Sequence, residues 1–272
     1  MTSEPTVERV LAPNPGPLTG PGTNTWILGS GETLVIDPGP ADEQHLARVL
    51  AVASRRGRVA VVACTHHHSD HVEGAARFCE LAGAPLAVDF RRALEPGTLP
   101  LHDGDRLLVG DRALLAVHTP GHASDHLCFF DESSRVLFTG DHVLQGTTSL
   151  VLPPDGDMRL YLESLERVLR LHPRRLYPGH GEPIEPAEEA IRELIGHRLE
   201  RESQILNQLG EGPASPAEIV SRLYVGYPEA VLEMAAGTVL AHLLKLAGEG
   251  RVSVSEAPAS NRFELAEGPD QD

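Results

Sequence analysis

Thr65-His66-His67-His68-Ser69-Asp70-His71 follows the apolar run Val59-Ala60-Val61-Val62-Ala63 after a single residue, Cys64. Imidazoles and a carboxylate at this density stabilise no fold by themselves; together they are the donor set taken by zinc, iron or manganese. The apolar run reads as a short buried strand, so the cluster sits where a strand ends and a loop begins. In an extended loop His66 and His68 project to one side and can clasp one ion, while His67 between them points away. Asp70 and His71 open the helical stretch Val72-Glu73-Gly74-Ala75-Ala76-Arg77-Phe78. An Asp at that place can be a helix cap. As ligands, this second pair is turned relative to the first and suits a second ion.

Three more residues stand in matching contexts, each after an apolar run and beside glycine: His122 in His118-Thr119-Pro120-Gly121-His122, Asp141 in Leu137-Phe138-Thr139-Gly140-Asp141, and His180 in Leu176-Tyr177-Pro178-Gly179-His180-Gly181. Taken singly, each could be a turn residue. Strand-end loops on one edge of a layered fold converge on a single cleft, and with the first cluster these three read as one dispersed site.

The pattern His66-x-His68-x-Asp70-His71, then His122, Asp141 and His180, resembles the metallo-beta-lactamase superfamily over about the first two hundred residues. That resemblance implies an α/β fold, the αββα sandwich, with His66, His68 and His122 on one metal. Asp70, His71 and His180 would hold the other metal, and Asp141 would bridge. His68 stands where flavodiiron proteins usually have Glu. Asn14-Pro15-Gly16-Pro17, Gly22-Thr23-Asn24-Thr25-Trp26, Gly140-Asp141-His142-Val143-Leu144 and the end of the chain, from Arg201-Glu202-Ser203-Gln204 to Ala241-His242-Leu243-Leu244-Lys245-Leu246, look like the beta-lactamase-like protein 2 group. That likeness implies a small C-terminal winged-helix domain. The group includes an endoribonuclease acting on single-stranded RNA and thioesterases of polyketide synthesis. Gln145 in Leu144-Gln145-Gly146-Thr147-Thr148 departs from the group, which has Gly there in a loop about one residue longer, and the departure bears on substrate preference. Glyoxalase II and the persulfide dioxygenases share the metal pattern and match this C-terminus less well. The stretch from Asp141 to His180 is too short for the extra domain of the cleavage-and-polyadenylation nucleases.

A chain of 272 residues with 41% apolar content can bury one sizeable α/β domain and a small second one. No basic-then-apolar leader is evident, nor a run of about eighteen apolar residues, so a cytoplasmic protein without a membrane partner is expected. Cys64, Cys79 and Cys128 have no paired spacing, consistent with thiols in a reducing compartment. Cys64, two residues before His66, reads as a packed thiol rather than a ligand or nucleophile.

Along the chain, Thr25–Leu28 and Leu34–Asp37 form an expected hairpin about Gly29-Ser30-Gly31. Helix is expected over 41–56, strand over 59–63, helix over 71–82 and strand over 86–88. Several short strands between Gly104 and Leu137 precede an amphipathic helix over 158–171. Asp37, at the end of its strand, is either a turn residue or a partner orienting a ligand His. The domain division falls at Pro183-Ile184-Glu185-Pro186, giving 1–186 as the catalytic domain, 187–266 as three helices and a strand pair in winged-helix order, and 267–272 as a flexible tail.

The chemistry this donor set supports is hydrolysis. Two divalent ions, zinc first and iron or manganese as alternatives, lower the pKa of a shared water and hold it as hydroxide, so that no Ser or Cys nucleophile is needed. Asp70 is both a ligand and the catalytic acceptor of a hydrogen bond from the attacking water. His118, His126 and His142 read as ordinary hydrogen-bonding histidines, and Thr147, Thr148 and Ser149 as a polar loop near the substrate. Three functions compete. A formal net charge of −16 favours a small ester or thioester substrate over a polyanion. Family likeness supports a single-stranded RNA endonuclease as the alternative. A winged-helix DNA-binding regulator ranks third, because Glu211, Glu218, Glu229, Glu233, Glu249 and Glu256 outweigh Arg222, Lys245, Arg251 and Arg262 in the winged region. A modest role remains for that domain as one wall of the cleft. Oligomeric state is not legible in the sequence.

Overall fold

The computed structural model describes residues 7–92, 97–255 and 261–266; the tail expected at 267–272 and Glu256 of the charge comparison lie outside these. Val7–Leu11 (β1) runs antiparallel to Asn24–Ile36 (β2), which pairs in parallel with Gly57–Ala63 (β3); Leu86–Asp89 (β4) and Leu99–Leu101 (β5) complete the first sheet in the order β1-β2-β3-β4-β5. The expected hairpin lies within β2. Gly29 and Gly31 have φ of 106° and 77°, and the Glu32 carbonyl comes within 2.3 Å of where a Gly29 Cβ would sit, so the chain reverses there. Side chains alternate on both arms: Trp26, Leu28, Leu34 and Ile36 enter one core and Ile27 and Val35 another.

Arg106–Val109 (β6), Arg112–His118 (β7), Leu127–Asp131 (β8), Val136–Gly140 (β9) and Arg175–Pro178 (β10) form the second sheet, ordered β10-β9-β8-β7-β6. Trp26, Phe129, Phe138 and Tyr177 pack between the two sheets, with Trp26 edge-on to Tyr177 at 4.8 Å and Tyr177 stacked on Phe138 at 5.2 Å. Each such aromatic contributes roughly 1.5–3 kcal/mol by burial.

Glu43–Arg56 (α1) starts at Asp42, whose carboxylate accepts from His45 N at 2.6 Å. The helix expected over 71–82 is divided into Ser69–Val72 (α2) and Ala75–Ala82 (α3). At the break Gly74 N–H donates to Gly39 O at 2.9 Å rather than to a helix carbonyl. α1 and α3 cover the first sheet through Leu46, Val49, Ala53 and Phe78. Met158–Leu169 (α4) and Ala187–Leu209 (α5) cover the second. The layers are therefore helix, sheet, sheet, helix.

Pro216–Leu223 (α6) begins with a capping box between Ser215 and Glu218. Glu229–Gly248 (α7) and the antiparallel pair Val252–Ser255 (β11) and Arg262–Leu265 (β12) follow. Within α7, Val231–Gly248 is by length and composition long and apolar enough to cross a membrane, although Glu233 and Lys245 interrupt its apolar run. Here Ala235, Val239, Leu243 and Leu246 of that helix join Ile205, Leu209, Ile219, Val220 and Phe263 in the core of the winged domain. α5 serves two cores: Ala187, Ile191 and Leu194 pack with α4, and Ile205 and Leu209 with the winged helices.

Candidate metal centre

Sheet direction assembles the site. β7 and β9 each lie antiparallel to β8, and β10 is parallel to β9, so the C-terminal ends of β7, β9 and β10 share one edge. His122, Asp141 and His180 leave from that edge. The loop after β3 joins it through Leu127 N–H to Thr65 O at 2.7 Å.

His66, His68, His122 and Asp141 present donor atoms within 4.8 Å of one another, and Asp70, His71 and His180 form a second such group. Asp141 lies between the two: its Oδ1 is 3.3 Å from His71 Nε2 and 3.4 Å from His180 Nε2, and its Oδ2 is 3.8 Å from His122 Nε2. Four of the imidazoles are tethered by one ring nitrogen and turn the other inward. His71 Nδ1 bonds Asp37 Oδ2 at 2.8 Å, and His122 Nδ1 bonds Leu150 O at 2.7 Å. His180 Nδ1 bonds Gly22 O at 3.3 Å, and His66 Nδ1 meets Thr65 Oγ1 at 3.0 Å. A carbonyl accepts only from N–H, so His122 and His180 carry a proton on Nδ1, and Nε2 is the atom each turns inward. His68 is the exception; its Nδ1 faces inward, 2.9 Å from His66 Nε2 and 3.0 Å from His122 Nε2.

The supports beneath these groups extend the site. Asp37, at φ 51°, also accepts from Thr65 N and Thr65 Oγ1 at 2.7 and 2.8 Å, so it holds the loop as well as His71. Asp70 is not a cap, since the N-cap of α2 is His68. Its Oδ2 accepts from Thr23 Oγ1 at 3.1 Å, and Asn14 Nδ2 donates to that hydroxyl at 3.0 Å. His126, read from sequence as ordinary, is buried and accepts from Asp141 N–H at 3.2 Å. No local pattern marks it, because the contact joins two strand ends fifteen residues apart. Gly179 passes so close that a Cβ there would lie 2.5 Å from Asp141 Oδ1 and 2.7 Å from His71 Cε1.

His67 turns away to Asp125 at 2.8 Å. Cys64 is buried among Ala75 and Val88, and burial followed by the nearby Asp37 raises its thiol well above the usual range, which suits packing and not attack. His118 contacts Arg91 and Ser124 O, and His142 is enclosed with Tyr161 edge-on at 5.1 Å. Thr147 and Thr148 line the cleft, whereas Ser149 is buried behind it.

The electrostatics divide the histidines. Burial, then His122 and His67, lower His68 to about 4, and burial with His71 lowers His66 well below the usual range. For His71 burial is outweighed by Asp141 and Asp37, which raise it well above the ordinary imidazole value. Burial likewise opposes, and Asp141 and Asp70 overcome it, to lift His180 to about 9. Asp70, against burial, is drawn down to about 2 by His180 and His71. Asp37, Asp70 and Asp141 thus set a negative field around His71 and His180, which a bound cation would neutralise.

A cleft of about 690 Å³ opens over these residues. Leu18, Leu150 and Leu152 line it from the catalytic domain, and Tyr224, Met234 and Val239 from the winged domain.

Residues 18–180 match the Metallo-beta-lactamase superfamily, and residues 215–260 match the Beta-lactamase associated winged helix domain. The chain belongs to the metallo-beta-lactamase superfamily. It is 33% identical to the Beta-lactamase-like protein 2 homolog of Caenorhabditis elegans, over 90% of this chain and 85% of that one. It is 35% identical to the Atrochrysone carboxyl ACP thioesterase of Aspergillus fumigatus, over 84% of this chain and 76% of that one. A metallo-beta-lactamase family protein from Thermus thermophilus superposes with a TM-score of 0.78 at 25% identity, covering 95% of this chain and 98% of the other. Superfamily membership and the His/Asp groups together make this protein a metal-dependent hydrolase with a C-terminal winged helix.

Proposed function

We propose that the protein hydrolyses a small-molecule thioester, or a related ester, at a two-metal centre. The observation that carries the metal reading is a pair of orphaned atoms: His71 Nε2 and Asp141 Oδ1 are both buried, have no hydrogen-bond partner among the described residues and face each other at 3.3 Å. A cation satisfies both. His66, His68 and His122 would hold one ion, Asp70, His71 and His180 the other, and Asp141 would reach both. Imidazole with carboxylate suits zinc first, and iron or manganese next. When bound, such ions acidify a water molecule and polarise the bond under attack. Asp70 then stays ionised at neutral pH and accepts the hydrogen bond that orients the water, with Thr23 and Asn14 fixing its carboxylate.

The substrate class rests on the cleft and on charge. A mostly apolar pocket of this size suits an acyl group, and the Aspergillus relative is named a thioesterase. Beyond α5, the cations that the winged helices and strand pair could offer to phosphates are engaged by carboxylates: Arg222 by Glu211, Lys245 and Arg251 by Glu202 and Glu249, and Arg262 by Glu218. That pairing disfavours single-stranded RNA and DNA alike. The three cysteines are free, which fits a cytoplasmic setting.

The test is metal analysis of purified protein, followed by parallel assays on acyl thioesters and single-stranded RNA, with Asp141→Ala as the control. About two equivalents of metal and thioester turnover that Asp141→Ala abolishes are expected. RNA cleavage without thioester turnover would overturn the substrate class, and protein free of metal would overturn the mechanism.

A further inference from the structure

In the same cleft as the metal ligands, α5 presents Arg198 and Arg201, one turn apart. Arg198 is only 3% exposed, and no carboxylate lies within ion-pair distance of it among the described residues. Its Nη2 is fastened to Ser149 O and its guanidinium lies 5.2 Å over the Tyr161 ring, while its Nε is buried without a partner among the described residues. Arg201, half-buried, rests 4.5 Å over the Tyr224 ring and likewise has no carboxylate partner among the described residues. Thr238 of α7 completes the wall; it is 8% exposed and its hydroxyl has no partner among the described residues. Asp155, an acid that lines the cleft outside the metal groups, is engaged by Ser124 N–H at 3.1 Å.

Leaving a buried guanidinium uncompensated is costly, and the rest of this acidic chain avoids it. In the winged domain every cation named above has its carboxylate. Among the described residues of that domain, the two that lack one, Arg198 and Arg201, both line the cleft, beside an unsatisfied hydroxyl. Planar guanidinium donors match a carboxylate or a phosphate.

Building on the hydrolase reading, we infer that Arg201, with Arg198 and Thr238, forms an anion-binding subsite, so that the substrate is an amphipathic acyl compound carrying a carboxylate or phosphate. Met234, Val239 and Leu152 receive its apolar body, Arg201 its charge, and the reacting carbonyl lies toward Asp70 and Asp141. Arg198, braced by Ser149 and Tyr161, supplies a fixed positive field more than a flexible contact. Arg201 is the group that moves to meet the anion.

Calorimetry on the metal-loaded full chain tests the subsite without turnover, using octyl phosphate, octanoate and neutral octanamide as probes. Arg201→Gln is expected to weaken at least one of the two anions by about tenfold or more, the size of a lost charged hydrogen bond. Arg201→Lys should retain most of the affinity, octanamide should bind both proteins alike, and Arg192→Gln, on the outer face of α5, should change nothing. The anion that binds more tightly identifies the source of the charge. A kinetic arm compares octanoyl and ω-carboxyoctanoyl thioesters, and the ratio of their kcat/KM values should fall toward one in Arg201→Gln. Should neither thioester be turned over, the hydrolase reading fails while calorimetry still decides the subsite. Equal anion binding by wild type and Arg201→Gln would overturn the inference. So would a loss confined to a single-stranded oligonucleotide, which would assign the pair to nucleic acid.

Discussion

At the scale of single residues, the centre depends on groups that never touch an ion. Asp37 takes the outward proton of His71 and two donors from Thr65, so it sets both the ring and the loop. Asp37→Ala should weaken metal affinity by roughly 10–100-fold, read by competition with a chromophoric chelator, with helix content unchanged. Gly179 tests geometry without removing a donor. In Gly179→Ala the new methyl would sit 2.5 Å from Asp141 Oδ1, so metal affinity and turnover should fall together by about tenfold or more. A variant as active as wild type would show that Asp141 has freedom to move. The chain offers Asp37 as a partner orienting a ligand histidine, whereas the close approach of Gly179 is not evident in it. The sequence places Asp37 at a strand end but is silent on its partner thirty-four residues away. His126 shows the same limit, since a histidine's role depends on what meets each ring nitrogen.

At the scale of elements, strand and helix periodicity was legible because each element records its own burial. The run ending at Ala63 is β3, and the amphipathic stretch after Met158 is α4. Legibility failed where distant backbone intervened: Gly39 divides α2 from α3, and β1 is a strand through its pairing with β2. α7 gives this scale its prediction. His242 is buried with neither ring nitrogen partnered, and burial, followed by Arg198 and Lys245, depresses it to about 3. The unfolded chain binds this proton below about 6.5 and the folded chain does not, so the contribution to stability is whole above that pH and is lost as pH falls toward 3. At pH 4.5 the loss from this group is about 2–3 kcal/mol. Thermal unfolding at pH 7 and pH 4.5 should show a smaller acid-induced drop in His242→Leu than in wild type. An identical drop in both would mean the ring is protonated when folded.

At the scale of the molecule, the winged domain is not an appendage. The start of α5 and Ala241 of α7 are packed into the cluster that covers the second sheet, and the far end of α5 lies in the winged core. A chain ended at Pro186 should therefore expose Val168, Leu176 and Leu162 and lose several kcal/mol of burial, enough to make it insoluble or molten. Sedimentation and near-ultraviolet circular dichroism would check this. A folded, monomeric 1–186 fragment would instead make the catalytic sandwich self-sufficient.

The sequence by itself determined the donors, their order and the elements that carry them, because ligand chemistry belongs to residue type and periodicity to neighbours along the chain. It also made binding to a polyanion an unfavourable expectation through net charge. Only the tertiary structure decided which ring nitrogen faces inward, that Asp141 lies between the two groups, and that α5 sets against the cleft two guanidinium groups without carboxylate partners among the described residues. Those facts arise from strand direction and helix packing between segments far apart in the chain, where no local pattern in the sequence reports which groups will meet.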